Sequence, residues 1–251
     1  MTVWYMNGAG NDFAVLDARG INLDERDMAI RLCLMRECDG FMALDESEVA
    51  DFKLRFYNRD GSRAEMCGNG ARCICRFAYD NGIAGQKMKV ETDAGIVEGE
   101  RIRDDIYQVK LSASRDISLN RREGVDYAVV GVPHATVEVK ALDYSRSGEL
   151  FEIGRRLRYE LNANINFYER VDENTVKILT YERGVEDFTL ACGTGSSAVA
   201  AVLFSKGELP CGELTVKNRG GELTVKVRAD NGKINALYLQ GKAELDEILE
   251  Y

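Results

Sequence analysis

The sequence predicts a mixed α/β (α+β) fold made of two similar halves, each mostly strands packed around one central helix. Two observations carry this. Cys67-Gly68-Asn69-Gly70 and Cys192-Gly193-Thr194-Gly195 each open a run of small and apolar residues, and each run ends in a glycine (Gly82, Gly207) 15 positions after its cysteine. The offset between the copies also persists along the chain. Cys67 lies 125 positions before Cys192, and Val90–Gly95 lies 126 before Val216–Gly221. An offset held over several elements marks a duplication, and strands around a helix give a layered mixed fold.

The elements follow in order. Val3–Asn7 and Phe13–Asp17 read as strands around the turn Gly8-Ala9-Gly10-Asn11-Asp12. Leu23–Cys33 reads as a helix, with Asp24 and Glu25 placed where the positive end of the helix dipole favours acids. Phe41–Leu44 is a short strand. Asp51–Tyr57 alternates strictly, Phe52, Leu54 and Phe56 against charged neighbours, which is the period of a half-buried strand. Asn58–Ser62 is a turn, and Gly68–Tyr79 is the first glycine-led helix. Met88–Glu98 is a hairpin turning at Asp93-Ala94-Gly95, and Ile106–Leu111 is a strand. The polar stretch Ser112–Gly124 marks the junction, so the halves are placed at 1–115, carrying Cys67, and 116–251, carrying Cys192, with the last strand free to return to the first half. Strands follow at Tyr127–Val139, then a helix at Ser147–Leu157, then strands at Asn164–Phe167 and Thr175–Tyr181. After the second glycine-led helix, Leu214–Val216, Leu223–Val227 and Ile234–Leu239 close the chain as strands.

Composition narrows the function. A chain of 251 residues with 45% hydrophobic and 30% charged residues has a globular balance. The net charge of −9, with no basic cluster, argues against nucleic acid and anionic membranes as partners. No apolar run reaches the roughly 18 residues of a membrane span, and the start MTVWYMNGAGNDF has no export pattern. Seven cysteines, an odd number, fit a reduced cytoplasmic protein better than a disulfide scaffold. With one histidine and no Cys-x-x-Cys unit, no metal is expected, and the cysteine-pair chemistry set out below needs no cofactor. Cys33, Cys38, Cys73, Cys75 and Cys211 read as small buried apolar residues.

Cys67 and Cys192 read differently. Each would sit where a helix N-terminus presents unpaired N–H groups and a partial positive charge, a natural seat for a carboxylate. The glycines let that backbone approach a ligand closely, and the same field favours thiolate over thiol. Two such cysteines on opposite faces of one carbon could invert it, one removing a proton and the other returning one.

At these residues the sequence resembles the diaminopimelate epimerase family of cofactor-independent amino-acid racemases and epimerases. Four motifs carry the resemblance: Met6–Phe13 (MNGAGNDF); Asn58-Arg59-Asp60-Gly61-Ser62 through Met66-Cys67-Gly68-Asn69-Gly70-Ala71-Arg72; Pro133-His134; and Glu182-Arg183-Gly184 through Ala191-Cys192-Gly193-Thr194-Gly195. The resemblance implies two pseudo-symmetric halves, each a barrel-like sheet wrapped around a central helix, with the site between them. It implies that Cys67 and Cys192 transfer the proton and that His134 and Glu182 support them. It assigns Asn11, Asn58, Asn164, Glu182 and Arg183 to the substrate, and the N–H groups of Gly68, Asn69, Gly193 and Thr194 to its reacting carboxylate. The partner is then a small amino acid, and the protein a homodimer. The expected reaction interconverts LL- and meso-diaminopimelate.

Three features depart from the family pattern. Val132-Pro133-His134 stands where the family has Asn-Pro-His, the segment from Glu182 to Cys192 is one residue longer than usual, and Met35-Arg36-Glu37-Cys38-Asp39-Gly40 is more abbreviated and less glycine-rich. A racemase of a different amino acid with the same two-cysteine mechanism therefore stays open, as does a non-enzymatic binding protein of the same fold.

Overall fold

A computed structural model of the chain describes residues 1–111, 113–144 and 148–251. In order the elements are β1 (Thr2–Gly8), β2 (Asn11–Asp17), α1 (Glu25–Arg36), β3 (Gly40–Asp45), β4 (Phe52–Asn58), β5 (Arg63–Ala64), α2 (Gly68–Asp80), β6 (Lys87–Thr92), β7 (Gly95–Arg103) and β8 (Ile106–Leu111). There follow β9 (Arg115–Arg122), β10 (Val125–Val130), β11 (Val132–Glu138), α3 (Gly148–Leu161), β12 (Asn164–Asp172), β13 (Thr175–Glu182), β14 (Asp187–Phe188) and α4 (Gly193–Ser205). The chain ends with β15 (Glu213–Asn218), β16 (Gly221–Asp230), β17 (Lys233–Lys242) and β18 (Glu244–Glu250).

These elements form two compact units, Met1–Val109 with Gly241–Tyr251, and Lys110–Gln240. The sequence division at 115/116 ran through β9. In the structure β9 pairs with β10 and goes with the second unit, while β18 pairs with β1 and goes with the first. Ser112, which opened the polar junction, and Ser147, which opened the helix before Leu157, lie outside the described residues.

Each unit repeats one topology. In the first, β1 and β2 are antiparallel, β2 runs parallel to β3 across α1, β3 and β4 are antiparallel, and β4 runs parallel to β6 across α2. In the second, β10 and β11, β11 and β12 across α3, β12 and β13, and β13 and β15 across α4 reproduce those four relations. The hairpins at the end also correspond. Thr92 pairs with Gly95 where β6 turns into β7, and Asn218 pairs with Gly221 where β15 turns into β16. The pseudo-symmetric halves expected from the constant offset are present, and α2 and α4 occupy the same place in each.

Packing explains why these two helices are so apolar. In α4, Ala198 to Leu203 are all buried, and the helix packs against β9, β10, β11, β12, β15 and β16 of its own unit. A helix apolar all round has no face for solvent, and each buried valine or leucine contributes about 1.5–3 kcal/mol. A charge at Val199 would break that packing. In α2, Ala71, Ile74, Phe77 and Ala78 are buried against β1, β2, β3 and β7. Helices α1 and α3 cover the opposite sheet faces. Ala29, Leu32 and Cys33 join Val3, Leu16 and Phe41, while Leu157 joins Ile165, Phe167 and Tyr181. Strands covered on both faces need apolar residues at consecutive positions, as in Ala14-Val15-Leu16 and Phe41-Met42-Ala43-Leu44.

Helix α1 starts one turn-position later than its acids implied. Asp24 is its N-cap and accepts from the Asp27 N–H at 3.0 Å, leaving Glu25 and Asp27 in the first turn. Four of the five cysteines read as buried are buried, and Cys211 is exposed. It lies in the turn between Leu209, which is buried, and Gly212 at φ +63°, and a turn residue next to a buried anchor points outward. Among the described residues, no helix is long and apolar enough to cross a membrane.

Candidate functional site

Each unit carries one cysteine at a helix start. Cys67 is the N-cap of α2, with extended backbone at φ −127° and ψ 125°. Its carbonyl accepts the first intrahelical bond, from Ala71 N at 2.7 Å. The N–H groups of Gly68, Asn69 and Gly70 therefore precede the helical ladder and point off the end of the helix. Gly8 comes so close to this turn that a Cβ there would lie 2.9 Å from the Asn69 carbonyl oxygen.

Asn69 is buried, and its amide Nδ2 donates to Asn11 Oδ1 at 2.7 Å. Asn11 Nδ2 in turn donates to Asp39 Oδ2 at 3.0 Å, which also accepts the Asp12 N–H at 3.1 Å. Asp39, absent from the sequence-level site, anchors this chain of amides. Asn58 closes its own turn: its N–H donates to the Ser62 carbonyl and its Nδ2 to Ser62 Oγ, both at 2.9 Å. Arg72, one turn into α2, is wholly buried and donates through Nη1 to the Gly68 carbonyl at 3.2 Å. Burial pulls its pKa down. Cys73 and Cys75, deeper in α2, have their thiols pushed up to about 12 by burial, as expected of inert core cysteines.

Cys192 repeats the geometry. It is the N-cap of α4, with φ −124° and ψ 109°. Ser196 N donates to its carbonyl at 2.9 Å. Its sulfur accepts from Gly195 N at 3.4 Å and lies 3.5 Å from Thr194 Oγ1. The Ser196 and Ser197 hydroxyls bond back to the Cys192 and Gly193 carbonyls, each at 2.9 Å. Polar side chains are thereby satisfied inside a buried first turn.

The other candidates of this unit come from three adjacent strands. His134 on β11 is opposite Asn164 on β12 in parallel register. Asn164 Oδ1 accepts the Arg183 N–H at 2.7 Å, fixing the start of the Glu182–Gly184 segment, and Arg183 Nη1 donates to the Asn162 carbonyl at 3.1 Å. Burial raises the Glu182 carboxyl, with a hydrogen bond from Thr189 opposing it. His134 is wholly buried and its pKa is pulled down to about 3, chiefly by burial and then by the Arg183 guanidinium. It is a neutral imidazole at any ordinary pH.

The structure thus ties Asn11 to Asn69 in one unit and Asn164 to Arg183 in the other. It also brings in Asn166 and Thr180, which the sequence reading passed over. Asn166 touches His134 Nδ1 at 3.2 Å, the Ala135 carbonyl at 2.9 Å and the Thr180 hydroxyl at 2.9 Å. The available signal was an asparagine inside an otherwise apolar strand, Ile165-Asn166-Phe167.

Comparison with known proteins gives the family and the fold. The chain matches the family model described as diaminopimelate epimerase over residues 3–112 and 127–245. The diaminopimelate epimerase of Aquifex aeolicus is 33% identical, over 100% of both chains. That of Methanocella arvoryzae is 37% identical over 95% of this chain and 92% of its own. Among solved structures, a phenazine biosynthesis protein of the PhzF family from Bacillus anthracis superposes with a TM-score of 0.80 at 19% identity, covering 100% of this chain and 98% of its own. A probable proline racemase from Agrobacterium radiobacter superposes with a TM-score of 0.74 at 17% identity, covering 100% and 92%. At those identities the likeness is one of fold.

Proposed function

The chain belongs to the diaminopimelate epimerase family, and from that premise we propose that it interconverts LL- and meso-diaminopimelate by proton transfer between Cys67 and Cys192 without a cofactor. The observation that carries this is the matched placement of the two cysteines. Each is the N-cap of the central helix of its unit, with the same extended backbone and a glycine next in the chain.

In the proposed reaction one cysteine, as thiolate, removes the Cα proton, and the other, as thiol, delivers one to the opposite face. The roles exchange in the reverse direction, so no net acid or base is consumed. The difficult species is the carbanion beside the carboxylate. The N–H groups of Gly68, Asn69, Gly193 and Thr194 bind that carboxylate, and the two helix dipoles stabilise its developing charge. Donors fixed in advance need no reorganisation as the charge appears, and removing one such donor typically costs about 10²–10³ in kcat. Asn11, Asn58, Asn164 and Arg183 hold the rest of the substrate, with Glu182 and His134 beside the reacting centre. A homodimer and a cytoplasmic location are part of the same proposal, and sedimentation of the purified protein tests the first.

Incubation with diaminopimelate in deuterated water tests the reaction. Deuterium at Cα and interconversion of the two stereoisomers are expected, and neither should survive when both cysteines are replaced by serine. No exchange with diaminopimelate overturns the substrate assignment. Full exchange in the Cys67→Ser and Cys192→Ser variants overturns the mechanism.

One observation favours a second reading, a racemase of another amino acid. Val132, exposed at the start of β11, offers no polar group where the family has an asparagine. Exchange with a different amino acid, and none with diaminopimelate, selects that reading.

A further inference from the structure

We propose that Asn166 is a positioning residue: its carboxamide holds His134 as the Nε2–H tautomer and also abuts the first turn of α4, setting a donor of fixed proton position and the Cys192 helix start against one side chain. This rests on the reading of His134 as part of the reaction site.

The argument starts from a carbonyl. The Ala135 oxygen can only accept, so the group 2.9 Å from it must be the amide Nδ2 of Asn166. The other end, Oδ1, accepts the Thr180 hydroxyl at 2.9 Å. That fixes the orientation of an amide whose two ends are otherwise hard to tell apart. Nδ2 has two hydrogens. One goes to Ala135, and the other meets His134 Nδ1 at 3.2 Å. A nitrogen facing an N–H must accept, so Nδ1 carries no proton and the single proton of the neutral ring is on Nε2.

The rest of the surroundings support this. His134 and Asn166 are both fully buried, so neither amide nor ring has solvent to turn toward. Nε2 is buried and has no hydrogen-bond partner among the described residues. A buried donor left unmet is uncommon and calls for an explanation; an acceptor brought in by the substrate supplies one. His134 then acts by donating a hydrogen bond, not by moving a proton. The same carboxamide reaches the helix: a Cβ on Gly195 would overlap Asn166 Oδ1, and the Gly195 N–H is the one that donates to Cys192 Sγ.

His134 is the only histidine, so protein labelled with ¹⁵N-histidine shows a single pair of ring nitrogens. At neutral pH the wild type should show an unprotonated Nδ1 and a protonated Nε2. Asn166→Asp keeps the shape but replaces the donor with an acceptor, so the proton should move to Nδ1. In that variant kcat should fall about 10²-fold or more, the scale of a lost proton-positioning group, while KM changes little. A wild-type spectrum with Nδ1 protonated, or an Asn166→Asp spectrum that still shows Nε2–H, overturns the proposal, as does a reversed tautomer with unchanged kcat. If Asn166→Asp does not fold, Asn166→Ser, which loses both amide hydrogens, should give a mixture of tautomers, and an undisturbed Nε2–H there is equally fatal. A His134→Gln variant with full turnover would instead refute the placement of His134 in the reaction site and leave the tautomer result standing.

Discussion

Cys67 and Cys192 cap their helices with nearly the same backbone, φ −127° and ψ 125° against φ −124° and ψ 109°. Cys192 Sγ accepts from Gly195 N and has Thr194 Oγ1 nearby. Replacing either cysteine by serine should lower turnover by about 10²–10⁴, the usual worth of a positioned acid or base. The double variant should be little worse than either single one, because both groups serve one step. Rates in both directions from each pure stereoisomer check this, and additive losses would speak against a pair acting together.

Gly195→Ala tests the contact between α4 and β12. The new methyl would overlap Asn166 Oδ1, and the asparagine cannot retreat without leaving Thr180 and Ala135. Overpacking of this kind costs about 1–3 kcal/mol. Urea denaturation should show that loss, and turnover should fall by more than the loss of folded protein accounts for. A variant as stable and active as wild type would mean that the contact is looser than the structure shows.

His134 gives stability a pH dependence whose sign can be worked out. Its folded pKa, about 3, lies below the ordinary 6.5. Between those values the unfolded chain binds a proton that the folded chain does not, so stability rises with pH across that window and is flat above it. The slope from this residue is about 1 kcal/mol per pH unit. Glu182 acts in the opposite sense. Its raised carboxyl pKa gives a contribution that is complete below the ordinary 4.5 and lost as pH rises through the folded value. Denaturation of wild type and His134→Gln from pH 6.5 downward separates the two. The variant should lose the steep acid-side slope, and parallel curves would show that His134 protonates freely in the folded state.

Glu182→Gln should divide stability from function. The carboxylate is held in a site that disfavours its charge, and the amide has none. Thermal denaturation at neutral pH should show a variant at least as stable as wild type, while turnover falls on the order of 10²-fold. A variant that lost stability and kept activity would place Glu182 among structural residues.

The repeat made much of this fold legible, because its strands and helices are buried and burial leaves a pattern. The strands that went unread lack that pattern. In β9 nearly every side chain is exposed or half-exposed, and Asp116 and Asn120 take positive φ where the pairing with β10 shifts register. A charged, irregular strand without hydrophobic periodicity reads as a linker. β18 is similarly charged, Glu244-Leu245-Asp246-Glu247, and is a strand because β1 pairs with it from the far end of the sequence. The same limit applied to the site. Cys67, Cys192, His134 and Glu182 stand in motifs whose residue types announce chemistry. Asp39 and Asn166 are tied to Asn11 and His134, which are distant in sequence, and the one local mark was an asparagine in the apolar run Ile165-Asn166-Phe167.

Val132→Asn addresses the substrate. Val132 is exposed, two residues before His134 at the start of β11, and an exposed position tolerates a polar side chain with a change within about 0.5 kcal/mol. If diaminopimelate is the substrate, the new amide offers it a polar contact that Val132 lacks. One hydrogen bond is worth about 0.5–1.5 kcal/mol, so kcat/KM for diaminopimelate should rise roughly 2- to 10-fold through KM, with deuterium exchange at saturation unchanged. If the protein acts on a smaller or less polar amino acid, the substitution should leave diaminopimelate exchange absent and weaken turnover of the true substrate. Paired KM measurements on wild type and variant therefore decide between the two readings of the site.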